Sequence, residues 1–125
     1  MDPEIQEELD YLEEVLEEYE KYVNNIGSNG YTAPLMLYYR DEIEESLREL
    51  APEADIDLKP YWKRVAGLDN VVRARAAIAV KEIGYNNFKQ YQIINDPPKL
   101  HWWWYLNKIV APPPRESPGW QFWKR

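Results

Sequence analysis

Apolar residues in the opening stretch, 5–26, fall at Ile5, Leu9, Leu12, Leu16, Tyr19, Val23 and Ile26. The steps alternate between four and three without a break. This is a 3.5-residue period, the pattern of a helix whose narrow apolar seam faces a second helix. Nearly every position off the seam is charged, and most of that charge is negative. Asp2 can cap the free amides at the start and Pro3 suits the first helical position, so the pattern predicts a helix over 3–25 that Gly27 closes. The composition of 24–30, NNIGSNG, marks a turn.

A second amphipathic segment follows. Thr32 reads as its N-cap, Pro34 falls in its first turn, and Leu35, Tyr39, Ile43, Leu47 and Leu50, with Met36 alongside, supply its apolar stripe. The short connection predicts an antiparallel hairpin over 3–50. The seam has two ways of being covered, by this second helix or by the first helix of another copy.

Residues 51–59 form a linker broken by Pro52 and closed by Pro60. Beyond it the pattern predicts a short helix over 60–66 that stops at Gly67. A more apolar helix over 71–83 follows, capped by Asp69 or Asn70 and ended by Gly84. The stretch DNVVRARAAIAVKEIG at 69–84 resembles the second helix of a HEAT-type repeat, D-x-x-V-R-x-x-A-A-x-A-L-x-x-I-G. Val80 stands where Leu is usual, and no second copy recurs at a 30- to 45-residue period, so the resemblance marks a local helix. Further helices are expected over 87–94 and 99–110, the latter aromatic on several faces. Pro112, Pro113 and Pro114 then open an extended tail, 112–125, that carries Trp120, Phe122 and Trp123.

These elements predict an all-α fold: one domain over 1–111, with an acidic hairpin (3–50), a basic and aromatic helical part (60–111), and the tail. Hydrophobic residues make up 45% of the 125, enough for a core. Six Trp and ten Tyr against two Phe favour surfaces that meet something. The charge is divided along the chain. Residues 1–57 hold 18 Asp and Glu against three Lys and Arg, a net −15, while 58–125 hold four against twelve, a net +8. Such halves neutralise each other or face different partners. No Cys is present, so disulfide and thiolate chemistry are excluded. The acidic opening and the want of a long apolar run lead to the expectation of a cytoplasmic protein.

Catalytic signals are weak. His101 is the only histidine and, next to three Trp, reads as a core or edge residue. A di-iron bundle needs two Glu-x-x-His pairs, and position 98 is Pro. There is no Gly-rich phosphate loop. Ser28, Thr32, Ser46 and Ser117 occupy turn, cap, helix and tail positions without a base nearby in sequence. No cofactor or metal is expected. The leading expectation is a non-enzymatic protein–protein interaction or adaptor protein that self-associates, as a dimer, through Leu9, Leu12, Leu16, Tyr19 and Val23. Trp120, Phe122 and Trp123 would either fold back onto the domain's own core or be further anchors for a partner. The alternative is a nucleic-acid-associated protein that uses Lys63, Arg64, Arg73, Arg75 and Lys81, interleaved with aromatics as single-strand binders are, with Lys89 and Lys99 nearby. A third reading is peripheral membrane attachment through the tail.

Overall fold

The computed structural model describes residues 2–28 and 30–110. Among them the fold is all-α: α1 (Pro3–Val23), α2 (Thr32–Leu50), α3 (Lys59–Ala74), α4 (Ala76–Ile83), α5 (Tyr85–Asn95) and a final 3-10 helix (Trp102–Lys108). Within the described residues no helix is long and apolar enough to cross a membrane.

The capping chemistry at the start of α1 is as expected. The Asp2 side chain accepts the Glu4 amide at 2.9 Å, and Gly27 takes a left-handed φ of 85° in the turn that follows. A side chain there would be doubly excluded, because a Cβ on Gly27 would fall 2.6 Å from Cγ2 of Ile78. The turn thus packs directly on α4. α1 and α2 form the hairpin, and Leu12, Leu16, Tyr19 and Val23 are sealed inside it, with Leu9 half-buried. Each such side chain contributes roughly 1.5–3 kcal/mol by leaving water. The stacked rings of Tyr22 and Tyr39, 5.7 Å apart, tie the two helices at the side.

The core-facing stripe of α2 is the expected one from Ile43 to Leu50 and is shifted by one position before it. Leu35 is exposed and Tyr39 half-buried. The stripe Ala33, Met36, Arg40, Ile43, Leu47 and Leu50 is buried, with Thr32, Leu37 and Ser46 buried beside it. Its steps of three and four match those of α1, but a charged residue stands in the middle. The N-terminus of α2 also differs: Tyr31, not Thr32, precedes the helix, and Thr32 is its first residue, buried. The Ala33 amide donates to a carboxylate oxygen of Glu82, from α4, which therefore caps α2 from across the fold.

Two expected helix breaks move. α3 runs through Gly67, which is exposed and faces open space. A helical Gly costs about 1 kcal/mol, too little to stop a helix whose Val65, Asp69 and Val72 are anchored in the core. Asp69 is accordingly a core residue and not a cap. The real break comes at Arg75 (φ −107°, ψ 19°), which splits the HEAT-like stretch into the end of α3 and α4.

The last helix is 3-10 and begins at Trp102 rather than at 99. Trp103, Tyr105, Leu106 and Asn107 are all buried. Such a run fits no single stripe of an α-helix, so local geometry yields to contacts on several sides. Tyr105 itself leaves helical geometry, at φ −119° and ψ 25°.

Candidate functional site

The centre of the molecule holds a polar cluster that the sequence pattern did not reveal. The Tyr19 hydroxyl donates to Oδ1 of Asp69 at 2.7 Å. Arg40 meets the same carboxylate with two donors, Nε to Oδ1 at 3.0 Å and Nη2 to Oδ2 at 3.2 Å, while its Nη1 reaches Glu44 at 3.0 Å. The guanidinium carbon lies 4.1 Å from the ring centroid of Trp103. Arg40 and Asp69 are both buried, at 3% and 5% exposure. A fork of this geometry on a carboxylate, with a third donor and an aromatic face, satisfies charges that would otherwise be costly to bury. Burial pushes the Tyr19 hydroxyl far above the usual tyrosine range, and the Asp69 charge adds to the effect.

A second carboxylate, Asp41, extends the cluster. The indole N–H groups of Trp103 and Trp104 both donate to its Oδ1, at 2.7 and 2.8 Å. Burial raises its pKa above the ordinary Asp value, and those two indole donors partly offset the rise. His101, half-buried, stacks on Trp103 at 4.7 Å. The cluster therefore joins α1, α2, α3 and the 3-10 helix through groups that already bond one another.

The charge asymmetry of the sequence explains who takes part. Arg40 is one of three basic residues in the acidic half, and Asp69 and Glu82 are two of four acidic residues in the basic half. Each such misfit charge reaches across to the other half. Arg64 does the same from the surface, meeting Glu13 at 3.3 Å and Glu20 at 3.6 Å.

The residues singled out for docking are spread over different environments. Leu12, Leu16, Tyr19 and Val23 are covered by the chain's own second helix, so the seam is closed within one copy. Trp120, Phe122 and Trp123 lie outside the described residues. Of the candidate nucleic-acid contacts, Arg64 is engaged by Glu13 and Glu20, and Arg73 lies 3.9 Å from the Trp102 ring centroid. Lys63, Arg75 and Lys81 are exposed at separate points along α3 and α4. No family model, curated protein or solved structure matches this chain.

What the structure does bring together lies at the α5 end. Asp96 takes a left-handed conformation (φ 42°) and turns the chain back along the helix. The Tyr105 hydroxyl then donates to the carbonyl of Pro97. Gln92 ties α5 to the 3-10 helix by donating to the Trp104 carbonyl at 2.9 Å and to Oδ1 of Asn107 at 2.8 Å. Tyr91 stacks on Trp104 at 4.0 Å. On this framework Ile93, Ile94, Leu100 and Ile109 are exposed, at 80%, 77%, 88% and 58%. A pattern-based reading could have marked Ile93 and Ile94, since α5 has little amphipathic character to bury them.

Proposed function

We propose that this chain is a non-enzymatic assembly protein of the cytoplasm that docks through the end of the bundle formed by α5 and the 3-10 helix. The observation that supports it is the exposure of Ile93, Ile94, Leu100 and Ile109 within one short stretch of a rigidly braced segment. Large aliphatic side chains left in water at such exposure favour a contact that removes them from it. The occupant is a second copy, which offers its acidic hairpin. That hairpin carries Tyr38 and Leu35 exposed among carboxylates, while the docking end belongs to the half with a net +8. Opposite fields of this kind guide encounter and set orientation. Because the first helix's seam is already filled, the contact is head-to-tail rather than a symmetric coiled coil.

Light scattering over a concentration series tests this. At about 50 mM salt the apparent mass should rise with concentration, and at about 500 mM salt the rise should weaken as the fields are screened. Ile94→Asp with Leu100→Asp should return the monomer mass without changing the melting curve, since both positions are exposed. A monomer at every concentration in low salt would refute the proposal. Nucleic-acid binding through the Arg73/Arg75 helix has less support, because Arg64 and Arg73 already have partners. Salt-sensitive oligonucleotide binding lost on Arg75→Ala would favour it instead.

A further inference from the structure

Between α5 and the 3-10 helix lies a cavity of about 400 Å³, into whose lining three separate segments each contribute a lysine: Lys89, Lys99 and Lys108. Among the described residues none of the three forms a salt bridge. In a chain with net charge −7, three ammonium groups around one cavity, none in a salt bridge, are an arrangement that folding alone does not need. Aromatic rings hold them in place. The Lys99 and Lys108 nitrogens lie 4.8 and 5.8 Å from the centroid of Tyr105, and the Lys89 nitrogen lies 5.8 Å from that of Tyr85. Such cation–π contacts orient an ammonium group without neutralising it. Tyr105 is itself fixed by its hydrogen bond to Pro97.

The floor of the cavity adds a neutral donor. Asn107 is 2% exposed, and its side-chain oxygen is taken by Gln92. Its amino group makes no hydrogen bond among the described residues and so remains available in the cavity that Asn107 lines. The Asn107 amino group is thus a spare donor open to the cavity, and beside three ammonium groups it suits an acceptor rich in oxygen and negative charge. Asp96 is the one carboxylate in the lining, so the cavity carries a net charge of about +2. A carboxylate ligand would neutralise half of that. A phosphate dianion would neutralise all of it, and lysines bind phosphate as point charges without the planar fork that carboxylates favour.

We propose that this cavity is a binding site for a phosphate dianion, with Lys89, Lys99 and Lys108 supplying charge and Asn107 a directed hydrogen bond. The inference goes beyond the docking reading and stands on different groups, so a monomer can bind the anion. Two sources share the chemistry, free phosphate and a phosphate monoester, whose organic part would run along Tyr85 at the cavity wall.

Titration of the full chain in a phosphate-free, low-salt buffer tests the site, read by NMR shifts of the Asn107 side-chain amide and by calorimetry. The probes are inorganic phosphate, adenosine monophosphate and adenosine. Phosphate or the monophosphate should give saturable shifts and adenosine none. Tighter binding of the monophosphate identifies a monoester as the source, and equal binding identifies the free anion. Lys99→Ala with Lys108→Ala should weaken binding at least tenfold, whereas Lys63→Ala with Lys81→Ala should leave it unchanged. These lysines are exposed, so the melting curve should stay in place. The absence of saturable shifts, equal weakening by both lysine pairs, or shifts with adenosine alone would each overturn the proposal. So would a single-stranded oligonucleotide binding far more tightly than the monophosphate, which would make the ligand a strand.

Discussion

Tyr19 and Asp69, fifty positions apart, share a 2.7 Å hydrogen bond at the centre of the fold, and Arg40 grips the same carboxylate from the other side. This contact joins the hairpin to α3 through groups that have no room for water. Tyr19→Phe removes one donor and should cost about 1–2 kcal/mol. Asp69→Ala strands the guanidinium and should cost more, about 3–5 kcal/mol. Arg40→Met combined with Asp69→Leu should lose less than Asp69→Ala alone, because the guanidinium goes with its partner and the carboxylate left behind, Glu44, reaches water. Urea unfolding of the three variants measures this. A double variant weaker than the single one would show that the pair itself, and not its satisfaction, holds the core.

Gly27 and Gly67 should respond to alanine with opposite sign. Gly27→Ala places a methyl group against Ile78 in a left-handed conformation, so it should destabilise by more than about 1 kcal/mol. Gly67→Ala sits in the middle of α3 with open space around it and should stabilise by about 0.5–1 kcal/mol. Thermal melts of the two proteins are enough to decide. A loss at Gly67 would mean that α3 is broken there, as its sequence suggests.

Asp41 should make stability depend on acid. Its folded-state pKa lies above the ordinary value because burial disfavours the charge. A group raised in this way favours folding most when protonated, below about pH 4, and that contribution is lost as the pH climbs through the raised value. Asp41→Asn keeps an acceptor for the two indoles but cannot ionise. Its stability relative to the wild type should therefore rise between pH 3 and pH 7. Parallel stability curves across that range would contradict the assignment.

Glu82 caps a helix whose first turn lies 49 positions before it. Glu82→Ala should cost about 1 kcal/mol by leaving the Ala33 amide without its acceptor, and Glu82→Gln should retain part of that. Hydrogen exchange at Ala33 reports the local effect. It should quicken in the alanine variant ahead of any change in the middle of α2.

The hairpin was legible in the sequence because its two signals agree. The 3.5-residue seam marks a helix with one buried edge, and the Asp2–Pro3 start and Gly27 stop mark its ends. The second helix was legible in extent and in its second half, Ile43 to Leu50, but its first half was misread by one position, since Arg40 looks like a surface residue until Asp69 is placed beside it. The expected break at Gly67 and cap at Asp69 failed for one reason: local preferences of about 1 kcal/mol give way to a buried carboxylate with three donors. The aromatic run at 102–104 showed that the last segment is buried on several sides, but not that it winds as a 3-10 helix.

For the candidate sites the division is sharper. Of the basic and aromatic residues, sequence order suggested Arg73 and Arg75 because they are neighbours on one helix. The cavity is built from Lys89, Lys99 and Lys108, and only the turn at Asp96 brings those together. The sequence by itself determined the helices, the division of charge and the identity of the hairpin, because periodicity and caps act within a few residues. Which charges are buried, which helix end Glu82 closes and which lysines share a cavity were decided by the tertiary structure, because those energies arise between groups that the chain holds far apart until it folds.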